Sequence, residues 1–416
     1  MRRSARLRTA VIGASLALSA GCGRHADKQP PPPRPAPAVV LPVVVRPAVD
    51  PDPAVVPAGD LSLPPRPPHA RQLTADACRR LAVANAAFAA DLDAHPDNNA
   101  VSIHPWCEPS EKAKTAARVS AVARGHAADE LRNRAAGEAL EQFFQLAQAE
   151  WQVELIRRGQ DELRSQVAQA QKAIDAGLQD RAGIDGLRGQ LFALEAQAAQ
   201  LEASMGSLNI SLRARLGIAS NDSLPLWPDD PLHIRGEVVD PDQAVRTGLH
   251  YRPDLNLLRS LLSVEGASGA EVQRAVLTSV NPLLRSEQGG GTSGPFAPLL
   301  GLLTGKKERI AGYARRQIES TLANRERLAE AEIRAAASSV AGYRAAAGAR
   351  AAEVRLLNAT IGELERKQAL GENVAAELAK AKGDQLKAKG ELLKAQADWN
   401  GAEAKLRQTM GLLVRE

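Results

Sequence analysis

The chain has 416 residues, of which 44% are hydrophobic, 24% charged and only 3% aromatic. So few aromatic residues argue against a large β-sandwich or a large outer-membrane β-barrel, whose interfacial girdles are aromatic; abundant Ala, Leu, Glu, Gln, Lys and Arg indicates long helices or coiled coil instead. The formal net charge is +5, but four of the basic residues, Arg2, Arg3, Arg6 and Arg8, stand in an N-terminal segment with no acid, and removing it leaves +1. Nucleic-acid binding, which needs a basic patch on the folded part, thereby loses its main support.

That segment reads as a signal peptide over residues 1–21. The arginines precede an apolar run from Ala10 to Leu18 and then Ser19-Ala20-Gly21-Cys22, a charged region, a hydrophobic region and a small-residue cleavage site. It resembles a bacterial lipoprotein signal, which implies that Cys22 becomes the lipidated first residue of the mature chain. A single acylated end anchors a protein to one leaflet without spanning it. From about Gln29 to His69 proline is dense enough to exclude helix and sheet and to favour extended polyproline II at roughly 3.1 Å per residue. Residues 22–72 are therefore a tether, with a reach on the order of 100 Å.

Folded sequence begins near LTADACRRLAVANAAFAADL, with Thr74 or Asp76 available as a helix cap. Cys78 lies in this helical pattern and Cys107 follows Trp106 in a loop. In an oxidising compartment the two are able to form a disulfide fastening that loop to the first helix, or to remain two buried thiols. Helical pattern returns near Ser110 and continues, with one interruption, through Leu216.

Two stripes carry the organisation. Ile184, Leu187, Leu191, Leu194, Ala198, Leu201, Met205, Leu208, Leu212 and Leu216 step by three and four, as in the seam of a coiled coil. A second stripe, Leu378, Ala381, Gln385, Ala388, Leu392, Ala395, Trp399, Ala402, Leu406 and Met410, repeats the first 194 residues later. The same shift carries Gly177 to Gly371 and Gly217 to Gly411. It also takes Leu163, Val167 and Ala170 of the preceding helix to Leu357, Ile361 and Leu364. We read this as the duplication of one long helical hairpin, with repeats at 73–218 and 263–416. Helices of about 40 residues are expected in each, roughly 60 Å long at 1.5 Å per residue. Gly177 and Gly371 stand where the left-handed conformation ends a helix, and Asp180 and Asn373 are the expected caps of the returning helices. A single hairpin cannot bury both of its seams, so neighbours must come from the other hairpin or another subunit.

Between the repeats, residues 219–262 offer a short strand at His233 to Val239, a short helix opened by Asp240-Pro241-Asp242, and then HYRPDLNLLRSLL. In the last of these Pro253 presets the first helical φ and Asp254 sits where the helix dipole favours a negative charge. Gly289, Gly291 and Gly294 literally satisfy GxGxxG, but no strand precedes them and Pro295 follows, so this is a connector and not a dinucleotide site. His25, His69, His95, His104, His126, His233 and His250 show no metal-ligand spacing. No catalytic residue, metal or cofactor is expected.

With this organisation the chain resembles the TolC-type outer-membrane efflux factor family. The matching residues are Arg252-Pro253-Asp254-Leu255 between the duplicated hairpins, the Gly177-Leu178 turn, the Gly371 turn with Glu377-Leu378 after it, and the ends Leu212 to Gly217 and Leu406 to Gly411. The resemblance implies an all-α fold, two long coiled-coil hairpins forming an α-barrel-like bundle with a short mixed equatorial segment, and assembly as a homotrimer. It further implies a periplasmic conduit working with an adaptor and an inner-membrane pump. Adaptor contact would fall at the hairpin tips, Gly177, Leu178, Asp180, Gly371, Asn373 and Glu377. A membrane strand needs about 9 to 11 alternating residues, and neither insertion point offers two such strands. We therefore expect the transmembrane β-hairpins to be missing, with the lipid on Cys22 attaching the protein to the periplasmic side of the outer membrane. The alternative is a lipid-anchored helical scaffold without channel activity.

Overall fold

The computed structural model describes residues 67–94, 111–175, 182–219, 238–263, 310–372 and 374–416, together with 222, 224–230, 232, 234, 273, 276 and 277. In chain order the elements are β1 (Arg71–Leu73), α1 (Ala75–Ala84), α2 (Ala89–Ala94), α3 (Glu111–Asp175), α4 (Ala182–Arg215), β2 (Leu226–Pro228), α5 (Pro241–Tyr251), α6 (Pro253–Leu262), α7 (Ile310–Ala369) and α8 (Ala375–Thr409). The fold is all-α, and the described strands are one short parallel pair, β1 against β2. The two insertion points lie at residues 95–109 and 281–308, outside the described residues. So do Cys22, the proline-rich segment, Cys107, Gly177, Leu178 and Asp180.

The residues fall into two units interleaved in sequence. Of the described residues, one comprises those in Phe88–Ala128 and Asp254–Ala323; the other comprises 67–87 and those in Asp129–Pro253 and Asn324–Glu416. In the first, Leu92, Ala123, Ala127, Leu255, Leu257, Leu258, Leu261 and Ile318 are buried. The second holds the hairpins. One cluster gathers Leu73, Cys78, Ala139, Phe143, Leu146, Leu212 and Leu216, and another gathers Ile333, Ala337, Val340, Leu392, Trp399 and Leu406.

Local chemistry explains the boundaries. Thr74 caps α1, accepting from Ala77 N at 3.1 Å, and Asp240 caps α5, accepting from Asp242 N at 2.9 Å. Tyr251 ends α5 and Pro253 opens α6, because proline is tolerated where no intrahelical N–H is needed.

The repeat is visible to the residue. Asp175 and Ala369 close α3 and α7, and Arg215 and Thr409 close α4 and α8, each pair 194 residues apart. Gly217 and Gly411 take positive φ of 66° and 74°. Ile218 N donates to Arg213 O and Leu412 N to Arg407 O, both at 3.0 Å, the wrapping-back bond of a glycine-terminated helix.

Two expectations need correction, and a third falls outside the described residues. The helices are not uniformly about 40 residues: α3 and α7 have 65 and 60, while α4 and α8 have 34 and 35. Small and charged residues continue helical spacing upstream of each duplicated arm, and nothing there interrupts it. The strand is Leu226–Pro228, whereas Ile234, Val238 and Val239 are in none; three residues paired to Arg71–Leu73 are too few to show alternation. Finally, Val374 occupies the N-cap of α8 without a side-chain bond, and Asn373, the expected cap, lies outside the described residues.

Candidate functional site: hairpin seams and tips

Within the second unit each long helix has identifiable neighbours. Helix α3 meets α4 through Arg157–Glu202 at 2.8 Å and Arg164–Glu195 at 3.3 Å. It meets α8 through Lys382–Glu162 at 3.1 Å and through Ala147 and Trp151 packed with Leu393 and Ala397. Helix α8 meets α7 in the cluster around Trp399. The side-by-side order is thus α4, α3, α8, α7. Among the described residues the two inner helices are covered on both sides by helices of this row, and the two outer ones on one.

Burial follows that order. The stripe on α8 is almost wholly buried from Leu378 to Met410, whereas much of the matching stripe on α4 is half-buried. The opposite face of α4 is open, with Phe192 65% and Ile210 71% exposed. Helix α7 likewise leaves a heptad-spaced face open, including Ala331, Ala335, Ser338, Ala345, Ala349 and Ala352, with Leu356 68% exposed among them.

At the tip of the second hairpin Gly371 has φ 89° and Leu370 is 82% exposed. Ile361, Leu364, Leu378 and Ala381 pack beneath it with Val374. Glu377 stands exposed in the first turn of α8. Just below, Lys382 bridges Glu162 and Glu365 at 3.1 and 3.4 Å. Burial works against its charge, but the two carboxylates outweigh that and hold its pKa above the ordinary value.

The Arg252-Pro253-Asp254-Leu255 element forms a joint. Arg252, 6% exposed, donates from Nη1 to Glu332 at 2.6 Å and to Thr409 O at 3.3 Å, satisfying the end of α8. Asn85, after α1, does the same for α4 by donating to Leu216 O at 3.0 Å. Asp254 is buried in its own unit and accepts from Leu255 N at 2.9 Å. The sequence pattern found Arg252 but missed Asn85, whose equivalence shows only in these shared tasks.

Two further buried groups stand out: Cys78, expected as a bridged or a buried thiol, and Glu150, which was not anticipated. Cys78 is buried and free, its thiol donating to Ala139 O at 3.6 Å, and burial pushes its pKa up to about 12. Glu150 is 6% exposed; among the described residues its Oε2 has no hydrogen-bond partner, and burial pushes its carboxyl up to about 8. Among the described residues no helix is long and apolar enough to cross a membrane.

No protein-family model matches this sequence, and no curated protein matches it. Solved structures do. The open-state MtrE outer membrane channel of Neisseria gonorrhoeae shares 13% identity and superposes with a TM-score of 0.56, over 82% of this chain and 90% of that one. The outer-membrane channel OprN gives 16%, 0.54, 81% and 87%. The outer membrane protein VceC of Vibrio cholerae gives 14%, 0.51, 82% and 93%. At such identities the likeness is one of fold, and the fold is the TolC type that the repeat implied.

Proposed function

We propose that this chain, with its TolC-type fold, is the outer-membrane component of a tripartite export system, a lipid-anchored periplasmic conduit built as a homotrimer. The observation that carries the reading is the pair of open coiled-coil faces on α4 and α7, at the two ends of the row α4, α3, α8, α7. Apolar faces of that extent are uncommon on a soluble monomer. A row with one open face at each end makes a heterologous contact when one face meets the other, and this closes into a ring when the rotation allows. The TolC-type fold supports three copies, with the tips around Gly371, Asn373 and Glu377, and around Gly177, Leu178 and Asp180, directed to an adaptor and through it to an inner-membrane pump. Residues 1–21 are the signal, 22–72 the lipidated tether, 73–218 and 263–416 the two repeats and 219–262 the connector. No step of catalysis is assigned to any residue.

The test is the mass of the full-length protein in detergent by light scattering, with conductance in planar bilayers and cross-linked pull-down from intact cells. We expect a trimer that captures an inner-membrane pump. A monomer or dimer that opens no channels would favour the scaffold reading instead.

A further inference from the structure

The row α4, α3, α8, α7 has two sides, and the smaller elements cover one of them. On α3, Phe143 packs with Leu73, Cys78 and Leu226, and Trp151 packs with Leu232; on α7 and α8, Ile234 with Ala244 and Val245 of α5 joins the cluster around Trp399. Gln145 stands two residues, roughly 200°, round α3 from Phe143, and it is exposed. Helix α8 shows the same contrast. Gln396 is buried, whereas Lys394 and Asp398, each two residues from it, belong to a strip with Lys380, Asp384, Lys387 and Glu391, all exposed except the half-buried Asp398. The strip changes sign at every step. Its counterpart on α4, 194 residues earlier, reads Gly186, Gln190, Ala193, Gln197, Gln200 and Ser204, all exposed and none charged. Arg350 of α7 lies 3.8 Å from Glu391 and 2.8 Å from Glu353, adding one cation and one anion at that level.

Resting on the conduit reading, we propose that the uncovered side of the row lines the conduit, and that this wall passes hydrated anions, cations and zwitterions without sorting them by charge. When a row closes into a ring, one side faces inward. The side that carries α1, α5 and the β1–β2 pair is the thicker one, and the outside of a ring has the room for it. Successive charges on the α8 strip are three or four residues apart, roughly 4.5–6 Å along the helix. That is less than the Debye length of about 8 Å at physiological ionic strength, so each cation is cancelled by its neighbouring anion within the first layers of water. Helix α4 contributes amides and a hydroxyl, which donate and accept hydrogen bonds and so serve solutes of either sign. No large apolar side chain stands in either strip. A wall of one sign would instead concentrate the opposite ion by tenfold or more.

Thiol labelling of the full-length, detergent-extracted protein tests both parts, each rate being taken over the parent's own labelling. Gln197→Cys on α4 and Gly383→Cys on α8, where an added Cβ meets nothing within 4 Å, should react with small thiosulfonates. Both should take a maleimide carried on a long polymer several-fold more slowly than Arg80→Cys, an exposed position on α1. For a cationic against an anionic thiosulfonate, the ratio of rates at both sites should match that of a small free thiol within about threefold. Adding Lys387→Gln and Lys394→Gln leaves the acids of the strip uncancelled and should shift the ratio at Gly383→Cys several-fold toward the cationic reagent. A trimer whose Gln197→Cys takes the polymer as readily as Arg80→Cys overturns the lining. A trimer whose unaltered strip favours one reagent by about tenfold or more, or whose ratio ignores the two lysine substitutions, overturns the charge balance. These results leave the conduit standing, whereas a wild-type protein that is monomeric by mass overturns the conduit and its lining together.

Discussion

At the scale of single residues, Glu150 is the group whose protonation the fold alters most usefully for a test. Its ordinary value of 4.5 rises to about 8 because burial disfavours the charged form. Between those values the folded chain keeps the proton and the unfolded chain releases it. The unfolded state then binds fewer protons, so stability falls as pH rises through that window. Glu150→Gln has nearly the same shape and cannot ionise. Equilibrium urea unfolding should show it matching the parent near pH 5 and exceeding it near pH 8 by on the order of a few kcal/mol; equal slopes for the two proteins would show that Glu150 is solvated. Sequence alone gave no warning of this residue, since a Glu on a long polar helix is ordinarily on a solvated face. Arg252 was easier to find, because it belongs to a recurring motif, yet its task of satisfying Thr409 O and Glu332 depends on chain folded back from the far end of the sequence.

At the scale of elements, the two repeats end in the same way but in different surroundings, and this separates two costs. Gly217 and Gly411 both have positive φ, a region costing a non-glycine residue roughly 1–2 kcal/mol. A Cβ at Gly217 would meet the Asn85 side chain at 2.7 Å, whereas one at Gly411 would meet Arg252 Cα at 2.9 Å and Tyr251 O at 3.1 Å. A side chain can turn away and backbone cannot. Gly411→Ala is therefore expected to destabilise more than Gly217→Ala, with both losing at least about 1 kcal/mol by thermal or urea unfolding; a milder effect at Gly411 would contradict the tight joint. Both glycines were legible as bracketing marks of the duplicated stripes, and so were the stripes, because heptad spacing survives where identity does not. Helix length was not legible, since the seam pattern fades upstream while nothing breaks the helix. The parallel pairing of Leu226–Pro228 with Arg71–Leu73 was invisible for another reason: it is a long-range contact of three residues, with no periodicity of its own. The open faces of α4 and α7 hid behind their alanines, glycines and serines, which read as helix formers and surface before their exposure was seen.

For the whole molecule, the question is what attaches it to a membrane. No described helix is apolar and long enough to cross one, and the two insertion points lie outside the described residues, so attachment turns on Cys22 and on those segments. A lipidated Cys22 makes a sharp forecast. Mass spectrometry of the mature N-terminus should find a diacylglyceryl cysteine, and Cys22→Ser should lose it. If the lipid is the anchor, the C22S protein should move from the outer-membrane fraction to the soluble periplasmic fraction, with its helical circular dichroism unchanged, because Cys22 is in none of the helices α1–α8. If residues 22–72 form the proposed extended tether, with a reach on the order of 100 Å, the body assembles whether or not Cys22 is acylated, so light scattering should give the same mass with and without lipid. If the C22S protein instead stays in the membrane fraction and is released only by detergent, the attachment resides in the chain itself, and a transmembrane barrel built from the insertion points becomes the better account.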